Sequence, residues 1–129
     1  MTPGYRTIPR YELGNKKMKF LHVLVDDERK FFMDHTFRTA EYARTRLWQL
    51  GDEITHLYMD HDLGHKFGND YDNGYKILTD FLEAGFRPIE VFLVTANPVG
   101  KQNMAAALLN HGYIKVTPYK FYREYIPSL

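Results

Sequence analysis

Three short apolar runs, each ending abruptly on polar side chains, constrain the fold of this chain more than anything else in it. Residues 20–25 stop at Asp26-Asp27, residues 54–59 stop at Asp60, and residues 89–94 stop at Thr95. Near-continuous apolar runs of this length suit strands buried on both faces. Helical patterns lie between them. Thr39 caps a helix over 40–50 that Gly51 stops, with Ala43, Leu47 and Leu50 on its apolar side. A second helix over 74–84 carries Ile77, Leu78, Phe81 and Leu82 on one stripe and ends at Gly85. A third over 99–110 turns Met104, Ala107 and Leu108 inward. A weaker strand over 37–40 and a short one over 113–116, before Thr117-Pro118, complete the pattern. Alternating strands and helices predict a parallel sheet covered on both sides, and the handedness of crossovers makes it doubly wound. In such sheets ligands bind at the carboxyl ends of the strands. The polar clusters fall at those ends.

Composition narrows the functional classes. A chain of 129 residues with 44% hydrophobic and 26% charged residues suits one globular domain. The absence of cysteine excludes disulfide scaffolds, thiolate zinc, iron–sulfur clusters and thiol nucleophiles. No apolar run reaches the roughly 20 residues that span a bilayer. Residues 1–19 lack the apolar core of a signal peptide, so the expected location is the cytoplasm, away from membranes. The net charge of +1 hides an uneven distribution. Basic residues dominate both ends, while Asp52, Glu53, Asp60, Asp62, Asp70 and Asp72 face Lys66 alone across the centre. An acidic centre suits a cation, and basic ends suit phosphate. Aromatic residues make up 16% of the chain. The C-terminal stretch 119–125 interleaves them with basic side chains, which suits base stacking, packing over a sheet edge or a dimer contact.

The strand ends define a chemistry. Asp26, Asp27, Asp60 and Asp62 gathered within a few ångströms would repel one another unless a proton or cation neutralised them. Oxygen ligands without cysteine select Mg²⁺ or Mn²⁺. His61 and His65 flank Asp62 in one loop, where an imidazole can exchange a proton beside a phosphate. His22, inside a strand, reads as a neutral hydrogen-bonded core histidine. Thr95 and Asn97 can donate to phosphate oxygens, and Pro98-Val99-Gly100 opens a helix whose N-terminal amides suit an anion. Lys101, in that first turn, opposes the helix dipole and fits best with an anionic ligand nearby. Gly64, Gly68 and Gly74 permit tight turns, but no P-loop pattern is present.

Three words carry a resemblance. Val25-Asp26-Asp27-Glu28-Arg29, Met59-Asp60-His61-Asp62-Leu63-Gly64, and Thr95-Ala96-Asn97-Pro98-Val99-Gly100 followed by Asn103-Met104 resemble the cyclic-phosphate processing receiver-like family, a bacterial and phage-borne branch of the response-regulator receivers. The resemblance implies a receiver-like (flavodoxin-like) sandwich with five parallel strands in the order 2-1-3-4-5 and a shortened first helix. It divides the chain into an extension over 1–18, a receiver-like domain over 19–118 and an extension over 119–129. It assigns Mg²⁺ binding to Asp26 and Asp27, the phosphoryl-acceptor position to Asp60 and a phosphoryl contact to Thr95. Arg29, His65 and Lys101 are candidate phosphate contacts. One departure stands out: receivers carry a lysine just before the proline after strand five, and here that place is Thr117. Lys115, Lys120 and Lys101 are the candidates to replace it.

The expected function is a metal-dependent phosphoesterase acting on a 2′,3′-cyclic nucleotide or a cyclic-ended RNA. Asp60 would serve as metal ligand, base or nucleophile, and His61 as general acid or base. Thr95 and Asn97 would hold phosphate oxygens. The alternative is a signalling or nucleotide-sequestering module that is phosphorylated at Asp60 without further catalysis.

Overall fold

A computed structural model describes residues 19–63 and 73–123. Six strands form one mixed sheet: β1 (His22–Val25), β2 (His35–Phe37), β3 (His56–Met59), β4 (Glu90–Leu93), β5 (Tyr113–Thr117) and β6 (Lys120–Arg123). Three helices lie between them among the described residues: α1 (Ala40–Leu50), α2 (Gly74–Glu83) and α3 (Pro98–Asn110). The sheet order is β2-β1-β3-β4-β6-β5.

Local chemistry explains the elements. The Thr39 hydroxyl accepts the Tyr42 N–H at the start of α1, and Gly51 ends the helix at φ 50°. Asn73 and Asn97 cap α2 and α3 in the same way, accepting the N–H groups of Lys76 and Gly100. Strand alternation builds the core. Val23, Leu57, Val91 and Phe121 form one registered row across β1, β3, β4 and β6, and Val25, Met59 and Leu93 form the next. Every member of both rows is buried, in one cluster with Leu47 of α1, Phe81 of α2 and Met104 and Leu108 of α3. The opposite face carries the rows His22–His56–Glu90–Tyr122 and Leu24–Tyr58–Phe92–Lys120. There Tyr58 stacks on Phe92 at 4.5 Å, and His22 stacks on His56 at 4.3 Å. His22 is therefore half-buried on this second face, with Nδ1 3.1 Å from the Tyr58 hydroxyl.

The structure corrects the expected topology in four places. The sheet is not five parallel strands. β4 and β5 do not pair; β6 runs antiparallel between them. The reason lies in a tight turn at Pro118-Tyr119, which folds β6 back on β5, and in the buried Phe121, which fills the row beside Val91. The aromatic and basic residues 120–123 thus form a central strand, while 124–129 lie outside the described residues. The first helix is absent rather than short: residues 26–34 connect β1 to β2 without helix. Finally, β2 occupies His35–Phe37 instead of 37–40, because Arg38 and Thr39 are the entry to α1. Among the described residues, the buried side chains of all three helices share the core on a single face of the sheet. The expected cover on both sides is not seen there.

Candidate functional site

The site follows from strand register. Val25, Met59 and Leu93 are aligned neighbours across β1, β3 and β4, so the residues just beyond them emerge side by side. The ladder continues one step past the strands, with the Asp26 N–H on the Phe37 carbonyl and the Asp60 N–H on the Val25 carbonyl. Asp26, Asp27 and Asp60 thereby each present a carboxylate oxygen, all within 4.8 Å of one another. Asp26 is wholly buried, and Asp60 is 5% exposed.

The two buried carboxylates are held differently. Asp26 Oδ1 accepts the N–H groups of Glu28 and Arg29, both at 2.9 Å, and Oδ2 pairs with the Arg29 guanidinium at 2.7 Å. Burial pushes its pKa up, but those donors outweigh burial and leave it below the ordinary value. Asp60 is raised above the ordinary value by burial first and by the neighbouring Asp26 charge second. The Thr95 hydroxyl, the His61 N–H and Arg29 offset only part of that. Arg29 lies 3.5 Å from Asp60 Oδ2, and its own pKa is raised through its bond to Asp26. Arg38 fixes the loop by donating to the carbonyls of Asp26 and Arg29. Asp60 lines a pocket of about 230 Å³ together with Asp27, Glu28, Arg29, Asp62, Thr95 and Ala96, and Asp26 lies buried behind it.

Each remaining candidate has a definite place. His61 Nδ1 lies 2.8 Å from Asp62 Oδ1, and Asn97 Nδ2 reaches both Asp62 oxygens at 3.4 Å. Asp62 thus stands apart from the three-carboxylate group, its side chain 64% exposed and turned to His61 and Asn97. Lys101 and Lys115 line a separate cavity with Pro118, and the Lys120 ammonium sits over the Phe92 ring at 5.7 Å. None of these lysines lines the acidic pocket, where Arg29 supplies the cation. His65 lies outside the described residues.

Sequence reasoning missed the second task of Arg29, which is to bridge Asp26 and Asp60. It also missed two glycines that the site requires. A Cβ at Gly74 would sit 1.8 Å from the Asp60 carbonyl oxygen, and one at Gly100 would sit 2.3 Å from His61 Cγ. Gly74 had been visible only as a turn residue; its need is a close approach that no local signal encodes.

The family model of the cyclic-phosphate processing receiver domain matches residues 21–110. The chain belongs to this family. Its match spans all three strand-end words. Among solved structures, the receiver-like chain is similar to a chain in the crystal structure of the CheX–CheY–BeF3–Mg²⁺ complex from Borrelia burgdorferi, with a TM-score of 0.52, 19% identity and coverage of 87% of this chain and 82% of that one. That likeness establishes a receiver-type α/β fold. No curated protein matches the chain. No helix among the described residues is long and apolar enough to cross a membrane.

The donor set fits a hard divalent cation. The oxygens come from three carboxylates alone, they converge, and Asp60 is raised by burial first and by the Asp26 charge second, so a cation there would favour its ionised form.

Proposed function

We propose that this domain is a metal-dependent enzyme that opens a cyclic phosphate, carried by a 2′,3′-cyclic nucleotide or by an RNA end. The observation that carries the reading is the convergence of Asp26, Asp27 and Asp60 at registered strand ends. Asp26, Asp27 and Asp60 would hold Mg²⁺ or Mn²⁺. When bound, such an ion neutralises charge on the phosphate oxygens, which lowers the cost of the charge that develops during attack.

The chain's own groups supply the rest. The Thr95 hydroxyl and the Asn97 carboxamide orient non-bridging oxygens beside Asp60. Asp60 takes, on the oxygen not facing the ion, the proton of an attacking water as the water oxygen bonds to phosphorus. The bond from phosphorus to the ring ester oxygen breaks, and His61 gives that oxygen a proton from Nε2. Asp62 on Nδ1 fixes the ring that does so. Arg29 offsets part of the carboxylate charge while the ion is away.

The test is to incubate purified protein and Mg²⁺ with a panel of 2′,3′-cyclic nucleotides and cyclic-ended RNA. Turnover is expected, lost on chelation and reduced by roughly 10²-fold or more in Asp60→Asn. Absence of turnover across the panel, or unchanged turnover in that variant, ends the reading.

A second reading draws on the bond between Thr95 and Asp60. An Asp60 so placed could accept a phosphoryl group, as part of signalling or nucleotide sequestration without hydrolysis. A stable adduct on Asp60 after treatment with acetyl phosphate, read by mass spectrometry, would favour it.

A further inference from the structure

A second cavity adjoins the acidic pocket, and the mechanism above leaves most of it unused. It measures about 540 Å³ and lies between the first turns of α2 and α3. Its size is in the roughly 300–1,000 Å³ range of small-molecule sites. The acidic pocket, at about 230 Å³, is less than half as large. The His61–Asp62–Asn97 network is the wall between the two: His61 and Asn97 line the larger cavity and Asp62 lines the smaller one. A phosphate held at Asp60 and Thr95 would leave its organic substituent room to cross Asn97 into the larger space.

The lining has the character of a site for an uncharged heterocycle attached to an anion. The described lining contains no carboxylate, and its one lysine, Lys76, pairs with Asp80 at 3.0 Å. Tyr75 leaves 37% of its surface exposed at the start of α2, and Val99 leaves 65% exposed at the start of α3. Two carboxamides complete the recognition chemistry. Asn73 commits Oδ1 to the Lys76 N–H, which leaves its NH₂ to donate. Asn103, exposed on α3, offers both a donor and an acceptor. Neither α2 nor α3 carries an acidic residue in its first turn, whereas α1 has Glu41 there. The positive ends of both helices thus face the cavity without a neutralising carboxylate from their own first turns.

We infer that this cavity is a nucleoside subsite, so that the substrate class is a nucleoside 2′,3′-cyclic phosphate with its base stacked on Tyr75 and its edge read by Asn73 and Asn103. The inference rests on the proposed reading of the acidic pocket as the phosphate site. Stacking on an aromatic side chain and carboxamide contacts to a base edge are the expected sources of affinity.

The test measures binding by calorimetry on the native protein with Ca²⁺ in place of Mg²⁺, with chromatography confirming that each ligand is recovered intact. The probes are adenosine 2′,3′-cyclic phosphate, the base-free cyclic phosphate of ethylene glycol, and a trinucleotide ending in a 2′,3′-cyclic phosphate. The adenosine ligand is expected to bind roughly 10-fold or more tighter than the base-free one. Adding Tyr75→Ala or Asn103→Ala, both at exposed positions, should shrink that ratio, with unchanged melting temperature showing intact folding. A ratio near one, or a ratio unaffected by both substitutions, overturns the subsite. The trinucleotide separates the two sources of this chemistry: affinity matching the mononucleotide admits RNA ends, and a 10-fold loss restricts the site to free nucleotides. Failure of catalysis is read independently. A retained ratio together with no turnover by the native protein sinks the hydrolytic mechanism and leaves the subsite standing.

Discussion

Asp26 and Asp60 stand side by side and titrate in opposite directions. Asp26, held below the ordinary value of 3.8, contributes stability above that pH and loses it as pH falls through its folded value. Asp60, held above 3.8, contributes the reverse: its ionisation costs stability as pH rises through its folded value. Asp60→Asn should therefore raise the melting temperature of metal-free protein at pH 7 by a few degrees, on the order of 2–6 °C. Mg²⁺ should raise the melting temperature of the native protein and have little effect on the variant. Calorimetric scans in chelator and in Mg²⁺ check both. A lower melting temperature for Asp60→Asn in chelator would show that Arg29 already compensates this carboxylate in full.

Two helix starts leave no room for a Cβ, one against the main chain and one against a side chain. Replacing a helical glycine by alanine ordinarily stabilises a helix by about 0.5–1 kcal/mol. Here the sign reverses. Gly74→Ala drives a Cβ against the backbone carbonyl of Asp60, which cannot turn aside, and should cost roughly 2–4 kcal/mol in urea unfolding. Gly100→Ala meets the His61 ring, which can rotate away. Its stability cost should be smaller, while His61 leaves Asp62 and Asn97. NMR of the His61 ring resonances should record that displacement in a protein that remains folded. A similar stability cost in both variants would mean that His61 is held as rigidly as the main chain.

At the scale of the whole molecule, the return strand β6 decides how the sheet ends. It covers the edge of β4 and carries Phe121 into the core row. Phe121→Ala should destabilise by about 3–5 kcal/mol. Removing residues 119–129 should do more, since it also exposes the β4 ladder to other chains. Light scattering and denaturant titration of the shortened chain measure both effects. A monomeric, fully stable product would show that β5 can close on β4 directly, as the five-stranded expectation had it.

Much of this protein is legible from local signals. The Thr39 cap and Gly51 stop mark α1 to the residue, because helix ends are decided by hydrogen bonds within four positions. The runs ending at Asp26, Asp60 and Thr95 mark the strands whose ends gather the site, because buried parallel strands are apolar and their carboxyl ends face ligand. Tertiary structure alone decided the rest. Lys120-Phe121-Tyr122-Arg123 alternates in a way that serves a stacking surface and a strand equally well, and only pairing with β4 chose the strand. Asp62 is one residue from His61 and two from Asp60, yet it faces Asn97 instead of the other carboxylates. Arg29 bridges Asp26 and Asp60 across two strand ends. Local sequence specifies where elements start and stop; which side chains meet across a sheet depends on register and packing between segments that are far apart in the chain.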